Sequence, residues 1–463
     1  MKLRITEDDR ARLYKYLASS FIAKRRCPET GCILLVQKNE SPYNPALLVV
    51  EVLAPASGDF ARQGAAELTF SSGYLRRALM EVRTRGLSGF LTVHTHPFAD
   101  ERVGFSCYDD ANDPELMANL YELQPGGIFG SIVAGKRSFA GRLWNPCQTC
   151  EPLSELITVG EALKFEPLDG SSSPHVPLPS AIFDRALAVT GAGALAKLSS
   201  SKFGVIGASG TGSLMIELLM RAGAGEILVF EFDRADKTNL NRVLHLRMRD
   251  VEPGRNKADR SHEVVKESGL PVKVAVVDGG DITKTEVAER LRDCDFLLGC
   301  VDRDWPRLIL SQVAYQYLIP YIDLGTEVGL DNEIVQSLDA RVSYVAPGRP
   351  CLLCSGVVTE ERVALEGQSE EEFKRILSMG YSRDFRLNAP AVMDLNMRAA
   401  SQAGLLLRHL FQPFLLTPLP HSIRESATNF SVRMVNHERR ENCPICGNPD
   451  RQGSGPRFRL MTR

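Results

Sequence analysis

The chain has 463 residues, enough for two or three domains that each bury a core. Its 55 Lys+Arg against 57 Asp+Glu leave it close to neutral, without the basic excess of a nucleic-acid or membrane-surface binder, so neither partner is expected. No window approaches 18 uncharged apolar residues and the opening MKLRITEDDRARLYKYL is charged, so neither a membrane span nor a signal peptide is expected and a cytoplasmic location is the default.

In chain order, residues 1–145 read as a small α/β domain. A helical start to about Phe21 leads into the apolar runs CILLV and ALLVVEVLAP. A helix around SSGYLRRALMEVRTRG and the strands GFLTVHTHP and GGIFGSIVAG follow, consistent with one mixed sheet. The strand GFLTVHTHP carries His94 and His96. At i and i+2 on a strand both imidazoles point to one face, so both can hold the same ion. Asp109 can add a carboxylate while a fourth position stays open to water, as catalytic zinc requires.

The pattern HxHP, eight residues, then SxxD resembles the JAB/MPN metalloproteases, the deubiquitinase-like zinc isopeptidases of JAMM type. PETGCILLVQ, residues 28–37, is similar to that family's strand-opening segment. The resemblance implies that His94, His96 and Asp109 ligate a catalytic zinc. It makes Glu29 the general base toward the zinc-bound water and Ser106 the donor that stabilises the oxyanion. Glu51, in LLVVEVLAP, is the competing base. The ordinary alternative is a histidine-bearing core strand followed by a serine-capped helix, and five matched positions weigh against it.

From residue 146 to 180 the periodicity fails, and EPLDGSSSPHVPLPS reads as an interdomain linker rich in Pro, Ser and Gly. Cys147 and Cys150 at its edge read as free thiols. Residues 181–463 then show the regular alternation of a doubly wound, mostly parallel sheet, with strands KFGVIGA, EILVFEFD, VKVAVVDGG, DFLLGCVD and PYIDLG. KFGVIGA runs into GASGTGS, where Gly207, Gly210 and Gly212 let the backbone approach a phosphate at a helix N-terminus. Ser209 stands where a dinucleotide fingerprint has its middle glycine, which disfavours NAD. Glu231, 24 residues beyond Gly207, ends the second strand where ribose hydroxyls are held. A nucleotide is expected, and these residues alone leave its identity open.

EFDRADKTNLNR (231–242), GRNKAD (254–259) and GCVDRDWPR (299–307) resemble blocks of the ThiF/MoeB/HesA superfamily, the adenylating domain of ubiquitin-activating enzymes. That resemblance implies an ATP site. Glu231 would hold the ribose in place of the family's usual aspartate, Asp233 in the same block would belong to the nucleotide site, Asn241, Arg242 and Lys257 would face the triphosphate, and Asp302 would bind Mg²⁺. Arg185 would reach an ATP phosphate from the partner subunit of a homodimer. Attack of a carboxylate on the α-phosphate needs such cations to neutralise the developing charge.

PCLLC and NCPIC supply Cys351, Cys354, Cys443 and Cys446, which as two CxxC pairs suit a closed structural zinc site rather than redox pairs. Between Cys354 and Cys443 there is no cysteine, although many relatives carry a thioester-forming one there. TEERVALEGQSEEEFKR, residues 359–375, reads as a solvated helix or loop. The joint expectation is a bacterial-type fusion that cleaves after the C-terminal glycine of a ubiquitin-like protein and adenylates the freed carboxylate. A conjugating-enzyme-like protein is its possible further partner. The alternative is activation and trimming of a sulfur-carrier protein in a biosynthetic pathway.

Overall fold

The computed structural model describes residues 1–21, 27–172, 181–369, 371, 372, 375 and 390–463. They form two units. The first is Met1–His175 with Gln316–Leu318 and Asp450–Phe458, and the second is Val176–Tyr315 with Ile319–Pro449 and Arg459–Arg463.

The first unit is built on the strands β1 (Lys2–Thr6), β2 (Gly31–Asn39), β3 (Ala46–Leu53), β4 (Phe60–Gln63), β5 (Leu68–Phe70), β6 (Gly89–Thr95), β7 (Ile128–Ala134), β8 (Phe139–Trp144), β9 (Cys150–Pro152), β10 (Glu155–Val159) and β11 (Lys164–Pro167). Its helices are α1 (Glu7–Leu17), α2 (Ser72–Arg85) and α3 (Cys107–Leu123). Nine of the strands form one mixed sheet in the order β11-β10-β1-β3-β2-β6-β7-β8-β9, and β4 and β5 form a separate hairpin. The alternation of side chains explains why β2 is apolar throughout. Cys32, Leu34 and Val36 point into a core with Leu13 and Leu17 of α1, while Ile33 and Leu35 point into a second core with Tyr74, Leu79 and Val82 of α2 and Met117 and Leu120 of α3.

The stretch expected as a linker from 146 to 180 instead carries β9, β10 and β11. β10 pairs in parallel with β1, Leu3 opposite Leu156, so this segment completes the sheet on which the chain begins. Its only apolar run is ELITV between two prolines, too short for periodicity to reveal. The Pro/Ser-rich residues 173–180 lie outside the described residues. Residues 450–458, expected within the domain from 181 to 463, belong to the first unit, where Gln452 Nε2 donates to Asp9 Oδ2 at 3.3 Å.

The second unit carries α4 (Asp184–Thr190), α5 (Ala192–Ser200), β12 (Lys202–Ile206), α6 (Gly210–Ala222), β13 (Glu226–Phe230), α7 (Met248–Val251), α8 (Lys257–Glu267), β14 (Lys273–Val276), α9 (Thr285–Ala288), β15 (Phe296–Gly299), α10 (Asp304–Gln316), β16 (Tyr321–Asp331), β17 (Ile334–Val345), α11 (Glu360–Glu366), α12 (Met393–Phe411), β18 (Ser422–Ser426) and β19 (Ser431–Val435). Its sheet runs β14-β13-β12-β15-β16-β17-β18-β19. The first five strands are parallel and the last three antiparallel. From β12 the chain moves outward through β13 to β14, then returns to the other side of β12 at β15. That reversal opens a crevice at the carboxyl ends of β12 and β15, where doubly wound sheets bind ligands. Among the described residues no helix is long and apolar enough to cross a membrane.

Candidate functional site

In the first unit, alternation along β6 puts His94 on the same face as Phe90, the face that α2 and α3 cover. Helix α3 starts where it does because Ser106 caps it. Ser106 Oγ accepts from Asp109 N at 3.2 Å, and Asp109 Oδ2 accepts from Ser106 N at 2.6 Å, a reciprocal capping box. The cap aims the Asp109 carboxylate at the histidines, with Oδ1 3.0 Å from His94 Nε2 and Oδ2 3.4 Å from His96 Nε2. Glu29, His94 and His96 are buried and offer ligand atoms within 4.8 Å of one another. His94 Nε2 faces Asp109 without well-formed hydrogen-bond geometry, a buried polar atom that a metal ion would satisfy. Two imidazoles with carboxylates beside them are a donor set suited to zinc.

The β4–β5 hairpin pins Glu29 by its backbone: Glu29 N donates to Gly64 O at 2.7 Å and Gln63 Nε2 donates to Glu29 O at 2.9 Å. Burial pushes the Glu29 carboxyl up to about 7, with His96 opposing the rise and Asp109 and Glu67 adding to it. Burial also acts to raise Asp109, but the two imidazoles and the Ser106 amide hold that carboxyl well below the ordinary range. Ser106 Oγ donates its one proton to Asp109 Oδ2 at 2.7 Å, so the expected oxyanion contact competes with Asp109 for that proton, whereas the capping bond uses the same oxygen as an acceptor. Glu51 is elsewhere. It pairs with Leu35, whereas His94 pairs with Gly31, roughly 13 Å away along β2, and its carboxylate meets Arg85.

In the second unit, β12 ends in a turn that only glycine can make. Gly207 has φ 91°, and a Cβ on Gly212 would stand 1.8 Å from the Gly207 carbonyl oxygen. Gly210 begins α6, so the unpaired amides of that helix's first turn border the loop. Glu231 is buried beside it, its Oε2 accepting from Ala208 N at 2.8 Å and its Oε1 from Asp233 N at 2.9 Å. Burial raises this carboxyl, and Lys257 works against the rise. Lys257 opens α8 and is buried, with Nζ 3.2 Å from Asp233 Oδ2 and 3.4 Å from Ser209 Oγ. Ser209, read from the sequence only as a departure from a glycine, is thus a partner of the lysine.

Gly207, Gly210, Gly212, Glu231, Asp233 and Lys257 therefore surround one loop. Asn241 and Arg242 sit on the neighbouring turn, where Arg242 Nη1 donates to Asn241 Oδ1 at 3.1 Å. Asp302, just beyond β15, and Arg185, on α4, are exposed. Among the described residues these four make no hydrogen bond to the loop group.

Residues 183–445 match the family described as ThiF family. The chain belongs to the ThiF family. Its relatives include the sulfur carrier protein ThiS adenylyltransferase of Bacillus subtilis (strain 168), 27% identical over 158 residues that cover 34% of this chain and 44% of that protein. Ubiquitin-like modifier-activating enzyme 5 of Culex quinquefasciatus is 21% identical over 184 residues, 37% of this chain and 43% of that protein. The chain thus spans less than half the length of either relative. Among solved structures, E. coli MccB with MccA-N7isoASN aligns at a TM-score of 0.45 and 20% identity, covering 58% of this chain and 74% of that one.

Within the ThiF-family unit the two CxxC pairs converge. Cys351 Sγ lies 3.5 Å from Cys443 Sγ and Cys354 Sγ lies 3.3 Å from Cys446 Sγ, and the cysteines are unbridged. A tetrahedron with metal–sulfur bonds of about 2.3 Å has sulfur–sulfur edges of about 3.8 Å, so this cluster is close to the size a zinc ion requires. A further buried network went unread in the sequence. Asp323, at the end of the parallel part of the sheet, accepts from Arg307 Nε at 3.2 Å, from Arg341 Nη2 at 2.7 Å and from the Tyr321 hydroxyl. It fastens α10 to β16 and β17 beneath the crevice. The only sequence signal was Arg307 closing the GCVDRDWPR block.

Proposed function

We propose that the ThiF-family unit uses ATP to adenylate the C-terminal carboxylate of a ubiquitin-like or sulfur-carrier-like protein, and that the first unit is a JAB/MPN-like zinc peptidase that cleaves after the same protein's terminal glycine. The observation that carries the adenylation reading is the glycine turn ringed by Glu231, Asp233, Ser209 and a buried Lys257 in a ThiF-family chain. The α6 amides and Lys257 would face the triphosphate, Glu231 the ribose, and Asn241 and Arg242 the outer phosphates. Magnesium at Asp302 would supply charge neutralisation. The carrier's carboxylate oxygen attacks the α-phosphorus, and the bond from that phosphorus to the pyrophosphate oxygen breaks. Arg185 from a second subunit of a homodimer would offset charge on the departing group.

The peptidase reading rests on Glu29, His94, His96 and Asp109 meeting in one buried cluster. Zinc at His94, His96 and Asp109 would act as a Lewis acid. Glu29 takes a proton from the attacking water and returns it to the leaving nitrogen, while the Ser106 hydroxyl turns from Asp109 toward the developing oxyanion.

No cysteine lies between Cys354 and Cys443, and burial pushes the Cys300 thiol up to about 12. Both favour direct release of the acyl-adenylate to another protein's nucleophile, whether a conjugating-enzyme-like partner or a sulfur donor.

ATP:pyrophosphate exchange tests the adenylation. Exchange should appear when a ubiquitin-like protein ending in glycine is added and should fall ~10²-fold or more in Lys257→Ala, the usual cost of losing one transition-state charge donor. Exchange that ignores that substitution would contradict the site.

A further inference from the structure

Helix α10 begins at Asp304, two residues past Asp302, and the first amides of any helix lack intrahelical acceptors. Here a carboxylate from another helix supplies them. The Asp304 and Trp305 N–H groups donate to Glu366 Oε1 and Oε2 at 2.9 and 2.8 Å. Glu366 is the last residue of α11, the short helix after the first cysteine pair. The other end of α11 is tied to the same turn, because Thr359 N, at its N-cap, donates to Asp304 Oδ2 at 2.9 Å. No residue of α11 is buried, so these bonds, rather than a packed core, join it to α10.

On the other side of Asp302 the backbone is held just as closely. Cys300 N donates to Ile206 O at 2.8 Å, and the Cys300 carbonyl oxygen would lie 2.5 Å from a Cβ on Gly207. Residues 300–304 therefore form a short bridge between the glycine loop and α10, with Asp302 at its middle.

We infer that Glu366 is a positioning residue of the nucleotide site: by accepting the two free amides of α10 it fixes the backbone that presents Asp302. The inference rests on the reading of Asp302 as the magnesium-binding residue. A carboxylate suits the position because both its oxygens accept and its charge meets the positive end of the helix. A segment that by composition is a solvated acidic run thus acts as a clamp on the crevice.

Titrating the full chain with ATP across a range of Mg²⁺ concentrations tests this, using wild type, Glu366→Ala, Glu366→Gln and, as a control on the same helix, Glu361→Ala. Glu366→Ala should raise the Mg²⁺ needed for half-maximal ATP affinity by roughly five- to tenfold, the scale of losing a helix cap. Saturating Mg²⁺ should restore wild-type affinity. Glu366→Gln, which keeps one acceptor and loses the charge, should fall between, and Glu361→Ala should match wild type. An unchanged Mg²⁺ requirement overturns the inference, as does a loss of ATP affinity that no Mg²⁺ concentration repairs. If Glu366→Ala does not fold, Glu366→Gln is judged by the same two criteria. A wild-type chain that binds no ATP at any Mg²⁺ concentration overturns the nucleotide-site reading beneath it, before any variant is compared.

Discussion

Glu29 and Glu51 are neighbours in composition and opposites in setting. Glu29 is buried among His96, Asp109 and Glu67, and its carboxyl is pushed up to about 7, near where a general base works best. Glu51 has its side chain 41% exposed and is paired with Arg85. Glu29→Gln should therefore keep zinc at His94, His96 and Asp109 while lowering cleavage of a ubiquitin-like precursor by ~10² to 10⁴-fold, and Glu51→Gln should cleave at the wild-type rate. Cleavage rates of the two variants beside their zinc content check this, and the reverse pattern would move the base to Glu51. The histidine pair was readable in the sequence because strand alternation alone puts i and i+2 on one face. The partnership of Ser209 with Lys257, 48 residues apart, was not, nor was the meeting of Arg307 and Arg341 at Asp323. Those contacts follow from the path of the chain, which no local pattern encodes.

At the scale of elements, the long apolar runs became the strands they suggested; β2, buried on one face against α1 and on the other against α2 and α3, needs no alternation. The short ones misled. β9 and β11 span three and four residues, and the partially exposed KFEP and exposed CEP carry little apolar signal, so the edges of the first sheet passed for a linker. Capping residues show a different limit. The S-x-x-D of residues 106–109 suits both a helix start and a metal ligand, and in the structure the cap aims the Asp109 carboxylate at the histidine pair. The two cysteine turns are joined by nothing local either, yet their chemistry makes a definite demand. Cys351→Ser should remove about one of two zinc ions per chain and lower the melting temperature of the ThiF-family unit, because structural metal binding contributes directly to folding. Metal analysis paired with a thermal melt decides it: one zinc in wild type, unchanged by the substitution, would take the four-cysteine site out of the account.

At the scale of the whole molecule, each unit carries its own cluster of reactive groups. The proposed chemistries are consecutive: hydrolysis after a terminal glycine exposes the carboxylate that adenylation consumes. ATP:pyrophosphate exchange with a C-terminally extended ubiquitin-like carrier tests whether cleavage by the first unit feeds adenylation by the second. Wild type should support exchange with the extended carrier after a lag and with the mature carrier at once. Glu29→Gln should support exchange with the mature carrier only. Equal exchange by wild type and Glu29→Gln on the extended carrier would contradict the account, since adenylation would then owe nothing to cleavage by the first unit.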